Sequence, residues 1–255
     1  MSKRRPPLAE RRSAIAIGES GPGQIPSHVF SVDPDATSGV TDQSAGLAGA
    51  LPLRVGGEGT VLGIDPHGKP LAVRLFRPTQ TRVVLVGSPR CAQLIAFRSL
   101  ASGARVTIGT ARPQVWAPIT AAAPPGTVAI RPVDAEPAEQ PGTRTRPLLY
   151  LDDAPPYGVP PELPSGRWTT VLTIREALTH REAELLERAD LVAAQPLVPA
   201  EVEVLSSALK VPGIDDRLSR LPADVLTVAH PRGVRFGRLT VTQTEQHFFG
   251  PALRR

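Results

Sequence analysis

The segment Arg82-Val83-Val84-Leu85-Val86 is apolar almost without interruption, the pattern of a strand covered on both faces in a mainly parallel sheet. It runs into Gly87-Ser88-Pro89-Arg90 and then into residues 91–101, where Leu94, Ile95, Phe97 and Leu100 form a broad apolar face at helical spacing. Upstream, residues 60–64 and 71–76 flank the turn-rich Asp65-Pro66-His67-Gly68-Lys69-Pro70, which predicts a β-hairpin. Downstream, short β-rich runs recur at 105–108, 127–130, 148–151, 169–173 and 191–194. Thr179-His180-Arg181-Glu182 reads as a capping box opening a helix whose inner face is Leu185, Leu186 and Ala189. A second short helix is predicted at 200–209, and a β-meander or hairpin at 224–242 around Pro231-Arg232-Gly233. Strands alternating with helices predict an α/β domain.

Residues 1–50 differ in texture: Gly, Pro, Ser, Asp and Ala dominate, and such a composition buries too little surface to offset chain entropy. They are expected to form a disordered arm before a domain at 51–246 and a C-terminal tail at 247–255. The charge is equally uneven. The net +5 includes +4 from residues 1–12, where Lys3, Arg4, Arg5, Arg11 and Arg12 oppose Glu10, so the other 243 residues carry +1. Duplex binding needs cations converging on one face, so the charge distribution points the body away from nucleic acid despite the high pI. The single cysteine, Cys91, excludes an internal disulfide and a multi-thiolate metal site. No apolar run reaches membrane-spanning length, and the basic start lacks the apolar core of a signal peptide. A cytoplasmic location follows as the expectation.

A buried strand, a glycine-led turn and a helix make the place where a phosphate loop would lie, because a helix N-terminus offers free amides to an anion. Against the eight-residue Walker A pattern, Gly87-Ser88-Pro89-Arg90-Cys91-Ala92-Gln93-Leu94 keeps the first glycine only. Gln93 stands at the lysine position and Leu94 at that of the magnesium-binding hydroxyl, so neither phosphate charge nor metal is met. Only three lysines occur, Lys3, Lys69 and Lys210, none near this turn; Arg90 can still meet an anion. Leu148-Leu149-Tyr150-Leu151-Asp152-Asp153 has the form of a Walker B strand ending in two carboxylates. On its own this pattern also describes a core strand with Asp152 or Asp153 capping the next loop, the commoner use of Asp at strand exits.

The remaining candidates are weaker. The histidines His28, His67, His180, His230 and His247 share no ligand spacing, so no metal is expected. Cys91 at a helix start reads as a buried structural thiol. Gly56-Gly57-Glu58-Gly59 precedes a strand, whereas a dinucleotide loop follows one. Near the C-terminus, Phe248 and Phe249 read either as a docking peptide for a partner groove or as residues tucked against the body.

Val61-Leu62-Gly63-Ile64-Asp65, then Pro70–Phe76, Arg82–Gly87, Leu148–Asp153 and Thr169–Arg175, in this order, resemble the FtsK/SpoIIIE-type motor domains, with their hh-G-hD-x-x-G-x-P hairpin leading into the Walker A strand. Within it, Thr173 and Arg175 are similar to the family's Thr-x-Arg sensor. The order also resembles the degenerate ATPase domains of type VII secretion proteins. The resemblance implies a P-loop NTPase (RecA/FtsK-like) α/β fold. It further implies a non-catalytic accessory component, not an enzyme, acting through protein partners such as a secretion ATPase, and peripheral to the membrane's inner face through them. No cofactor is expected, although weak nucleotide binding stays open. The alternatives are a nucleotide- or phosphate-ligand-binding sensor or weak NTPase using Arg90 and Asp152, and a DNA-associated protein using the basic arm.

Overall fold

A computed structural model describes residues 59–135, 139–155, 163–211, 214 and 216–251. The expected arm at 1–50, like the Gly56-Gly57-Glu58 entry, lies outside the described residues. The chain opens with the hairpin β1 (Thr60–Ile64) and β2 (Pro70–Val73), followed by β3 (Thr81–Val86) and the helix α1 (Pro89–Ala101). Next come β4 (Arg105–Thr110), a 3-10 turn at Pro113–Trp116, α2 (Ala117–Ala122), β5 (Val128–Arg131), β6 (Leu148–Asp153) and β7 (Thr169–Arg175). A 3-10 turn at His180–Glu182 leads into α3 (Ala183–Glu187), β8 (Leu191–Ala194), α4 (Pro199–Leu209), β9 (Val225–His230), β10 (Gly233–Leu239) and α5 (Gln243–Phe249).

All ten strands join one sheet in the order β2-β1-β10-β9-β8-β3-β7-β6-β4-β5. The six strands from β8 to β5 pair parallel, and the four beyond β8 pair antiparallel. β3 lies at the centre, which explains its unbroken apolar run. Successive side chains of a strand face opposite sides. Val83 and Leu85 enter a core shared with α1 and the α5 residue Phe249, while Val84 and Val86 enter a second core filled by α3 and α4. The predicted alternation of strand and helix is therefore a helix-covered, mainly parallel α/β sheet.

The hairpin signature has a packing explanation at each of its residues. A Cβ on Gly63 would lie 2.0 Å from the Arg238 carbonyl oxygen of β10, so only glycine permits that approach. The Asp65 carboxylate accepts from the His67 and Lys69 amides at 2.9 and 2.8 Å and holds the turn, with Gly68 at φ +77°. The residues that carry the family resemblance here build a sheet edge, not a catalytic centre.

One anchor was not apparent in the sequence. Arg98 of α1, with a side chain only 7% exposed, meets the 5% exposed Glu245 of α5 with both oxygens, Nε–Oε1 at 2.7 Å and Nη2–Oε2 at 2.9 Å. Its other donors reach the carbonyls of Val61, Leu62 and Thr240. Glu245 also accepts from the Thr242 amide, and its own amide donates to the Thr242 hydroxyl, closing a capping box at the start of α5. Phe249 packs edge-on against Phe97 with ring centroids 5.4 Å apart. The predicted tail boundary before His247 thus falls inside a helix that is packed on α1.

Candidate functional site

The carboxyl ends of the parallel strands are where open α/β sheets take ligands, and two clefts lie there. The first, about 700 Å³, brings together Gly87, Ser88, Arg90 and Gln93 with Phe248, Phe249 and Glu176. The second, about 860 Å³, lies over the ends of β4, β6 and β7 and includes Arg112, Asp153, Arg175, Glu176 and Arg181. Glu176 borders both, and its ion pair with Arg112 stands between them.

The turn at the end of β3 has little to offer a phosphate. Strand β3 ends at Val86 and α1 begins at Pro89, leaving a two-residue link. The Gly87 amide donates to the Arg175 carbonyl at 2.9 Å. The Ser88 amide donates to Gln195 Oε1 at 2.7 Å. Pro89 has no amide proton, and the Cys91 amide is held by the Ser88 carbonyl and hydroxyl, as expected of a serine N-cap. A phosphate cradle needs several such donors converging unbonded on one point. Gln195, 2% exposed at the end of β8, also fills the space above Gly87, where an added Cβ would lie 2.5 Å from its Oε1.

The other residues of the expected loop point away from phosphate chemistry. Gln93 is buried, and its amide donates to the Val115 carbonyl at 2.6 Å, tying α1 to the turn before α2. Leu94, 1% exposed, belongs to the core. Arg90 is exposed, and its guanidinium leans on the Pro251 carbonyl at 3.4 Å. Cys91 is sealed, and burial pushes its thiol up to about 12 in spite of the nearby Arg98 charge.

The two acids of β6 have different surroundings. Asp153 accepts from Arg112 twice, Nη2 to Oδ1 at 2.6 Å and Nε to Oδ2 at 3.0 Å, and from the Trp116 indole and the Thr110 hydroxyl, both at 2.8 Å. In turn, the Asp153 hydrogen bonds tighten the Arg112 grip on its proton against the effect of burial. Asp152 accepts from the Ala154 amide and the Thr173 hydroxyl. Burial raises its pKa, and the Arg175 charge only partly offsets this. Although 3% exposed, Asp152 lines neither cleft.

The structure therefore brings Gly87, Ser88, Arg90 and Gln93 together with Phe248 and Phe249, and Asp153 together with Arg175. Asp152 and Thr173 are paired beneath the surface. Phe249 is a core residue rather than an available docking group, whereas Phe248 is 37% exposed beside the first cleft. Reasoning from sequence missed Gln195, Arg112, Trp116 and Glu176. Among the described residues no group of His, Cys, Asp and Glu could hold a metal ion, and no helix is long and apolar enough to cross a membrane.

The β3 turn lies at the carboxyl end of a mainly parallel α/β sheet, and its Gly87, Ser88 and Cys91 amides are engaged within the chain. No protein-family model and no curated protein matches the sequence. Among solved structures, one described as an ATPase is similar in fold, with a TM-score of 0.46 and 12% identity over 76% of this chain and 91% of that one.

Proposed function

We propose that the chain is a non-catalytic component that acts through protein–protein association, on the fold of an ATPase but without turnover. The observation that carries this reading is the occupied β3 turn: its amides bond to Arg175, Gln195 and Ser88, and Gln93 stands where a phosphate-neutralising lysine would be. The order of elements shared with FtsK/SpoIIIE-type domains supports an accessory place in a type VII secretion machine. There the chain would lie in the cytoplasm, held near the membrane by a secretion ATPase or other subunits. Phe248 at the rim of the first cleft is the exposed apolar group such an interface would use.

Two measurements test the proposal. Purified protein is expected to hydrolyse ATP far more slowly than about 1 per second, and enzyme-like turnover that vanishes in Asp152→Ala would refute it. Thermal unfolding with ATP, GTP and their diphosphates, with and without magnesium, is expected to show no specific stabilisation; a saturable rise would favour a nucleotide sensor instead.

A further inference from the structure

The parallel strands have two ends, and both clefts lie at the carboxyl one. The opposite end collects arginines that the sequence scatters. Arg82 is at the start of β3, Arg144 and Arg146 sit in the turn before β6, and Arg167 precedes β7. Arg232 lies in the β9–β10 turn, which the antiparallel pairing of β9 places beside the start of β8. All five are exposed, and their side chains have no hydrogen bond or ion pair among the described residues. The strands involved are neighbours in the order β9-β8-β3-β7-β6, about 4.8 Å apart, so the row spans roughly 20 Å. The acids described nearby offset little of it. Asp190 is held by Arg77 and by the Arg82 amide, Glu184 of α3 pairs with Arg188, and only Glu187 lacks such a partner.

The middle of the row is rigidly built. Thr143 and Arg146 exchange amide-to-carbonyl bonds at 3.1 and 3.2 Å, closing the turn that carries Arg144 and Arg146. The Gly142 amide donates to the Thr169 hydroxyl at 3.1 Å, and a Cβ on Gly142 would lie 2.1 Å from the Trp168 carbonyl oxygen, so this turn is pressed against the Arg167–Trp168 segment. Trp168 has φ +53°, a left-handed conformation strained for a bulky residue. It is pinned there by two bonds of 2.9 Å, its amide donating to the Arg77 carbonyl and its carbonyl accepting from the Leu148 amide. Strain of this kind recurs at functional positions, where the surrounding structure imposes it. Trp168 is half-buried, and its indole N–H has no hydrogen-bond partner among the described residues.

Arginines in a row about an amphipathic indole, at an end to which neither cleft extends, suit a planar anionic surface. Guanidinium groups meet phosphates through paired hydrogen bonds, and tryptophan settles at the headgroup level of a bilayer. We propose that the amino-end face of the sheet docks on an anionic lipid bilayer, with the five arginines as its cations and Trp168 as its interfacial anchor. The clefts at the carboxyl ends then face away from the membrane. The contact is made by this chain itself and does not depend on whether the β3 turn takes a nucleotide. A single nucleic-acid strand or an acidic peptide would call for a groove; duplex DNA would not, and it is the competitor in the test.

The test is co-sedimentation of the full chain with vesicles of phosphatidylcholine alone and of phosphatidylcholine and phosphatidylglycerol in equal parts, at about 0.15 M salt, where the Debye length is about 8 Å. Binding to the anionic vesicles only is expected. A blue shift of tryptophan emission should accompany it and be absent in Trp168→Phe, since Trp116 is sealed in the core. Arg144→Glu/Arg167→Glu is expected to weaken binding at least about twentyfold, from about fivefold for each cation. Arg90→Glu/Arg181→Glu makes the same change of charge at the far end of strands of 6 residues, roughly 20 Å away, and should have little effect. Changing Lys3, Arg4, Arg5, Arg11 and Arg12 together to Gln should preserve both the emission shift and the dependence on Arg144 and Arg167. The proposal is overturned by binding without preference for the anionic vesicles, by equal losses in the two double variants, or by binding that only the arm variant abolishes. Displacement from the vesicles by an equal phosphate concentration of duplex DNA overturns it in favour of nucleic acid. If Arg144→Glu/Arg167→Glu does not fold, Arg82→Glu/Arg232→Glu takes its place, and an unchanged affinity there overturns the face.

Discussion

Removing either partner of the Arg98–Glu245 pair should destabilise the protein, but unequally. In Arg98→Met the Glu245 carboxylate stays buried and keeps only its contacts with Thr242. Stranding a buried charge costs about 3–5 kcal/mol, a large part of the 5–15 kcal/mol by which domains are typically stable. In Glu245→Gln the guanidinium keeps the carbonyls of Val61, Leu62 and Thr240 and gains an amide oxygen, so the loss is about 1–3 kcal/mol. Burial alone would raise the Glu245 pKa; the Arg98 hydrogen bonds and charge and the Thr242 contacts outweigh it and hold the pKa below the ordinary 4.5. Its contribution to stability is thus present above about 4.5 and is lost as pH falls through the lower folded-state value. Urea unfolding of the wild type and both variants, at pH 7 and at steps below 4.5, measures each term. Equal losses in the two variants, or an acid dependence unchanged in Glu245→Gln, would refute the reasoning.

Three further outcomes are expected. Burial raises the Asp152 pKa in the folded state, which therefore binds its proton more readily than the unfolded chain. The acid thus detracts from stability as pH rises through its folded-state value and has no effect below the ordinary 3.8. Asp152→Asn should accordingly be at least as stable as the wild type at pH 7, and denaturation midpoints should converge near pH 3. Asp153→Ala leaves the buried Trp116 indole N–H without its acceptor and should cost about 1–3 kcal/mol, read by denaturation together with a change in tryptophan emission. Cys91 should not react with a thiol reagent in the native state and should react fully in denaturant; rapid native labelling would contradict its burial.

Much of the architecture was legible because the sheet is wide and covered on both faces. The unbroken Val83–Val86 run and the Leu191–Ala194 run mark central strands by composition alone, and the Thr179–Glu182 box marks a helix start. The missing lysine of the β3 turn was legible too. That the turn's amides are occupied was not, because the acceptor Gln195 lies 107 residues further along and nothing local to either segment links them. Residues 247–249 read as the start of a tail, because Phe248 and Phe249 beside a basic end suit a docking peptide as well as a pair tucked against the body. The signal that would have identified the helix was present in Thr242 and Glu245, which repeat the spacing of Thr179 and Glu182. Nothing local to Arg98 points to its partner Glu245, which is 147 residues away.

The pairing of β1 with β10 has a consequence for how the chain is made. Strand β1 is among the first described segments to leave the ribosome and β10 among the last, yet β1 lies between β10 and β2. Until residues 233–239 emerge, the β1–β2 hairpin is a two-stranded ribbon, a form marginally stable in water, with Leu62 and Leu71 uncovered. The parallel strands β3 to β8 can assemble meanwhile, so biosynthesis should pass through a nascent species with a finished centre and a sticky leading edge. The interval in which a chaperone or a neighbouring chain could capture this species ends when the last hairpin is translated.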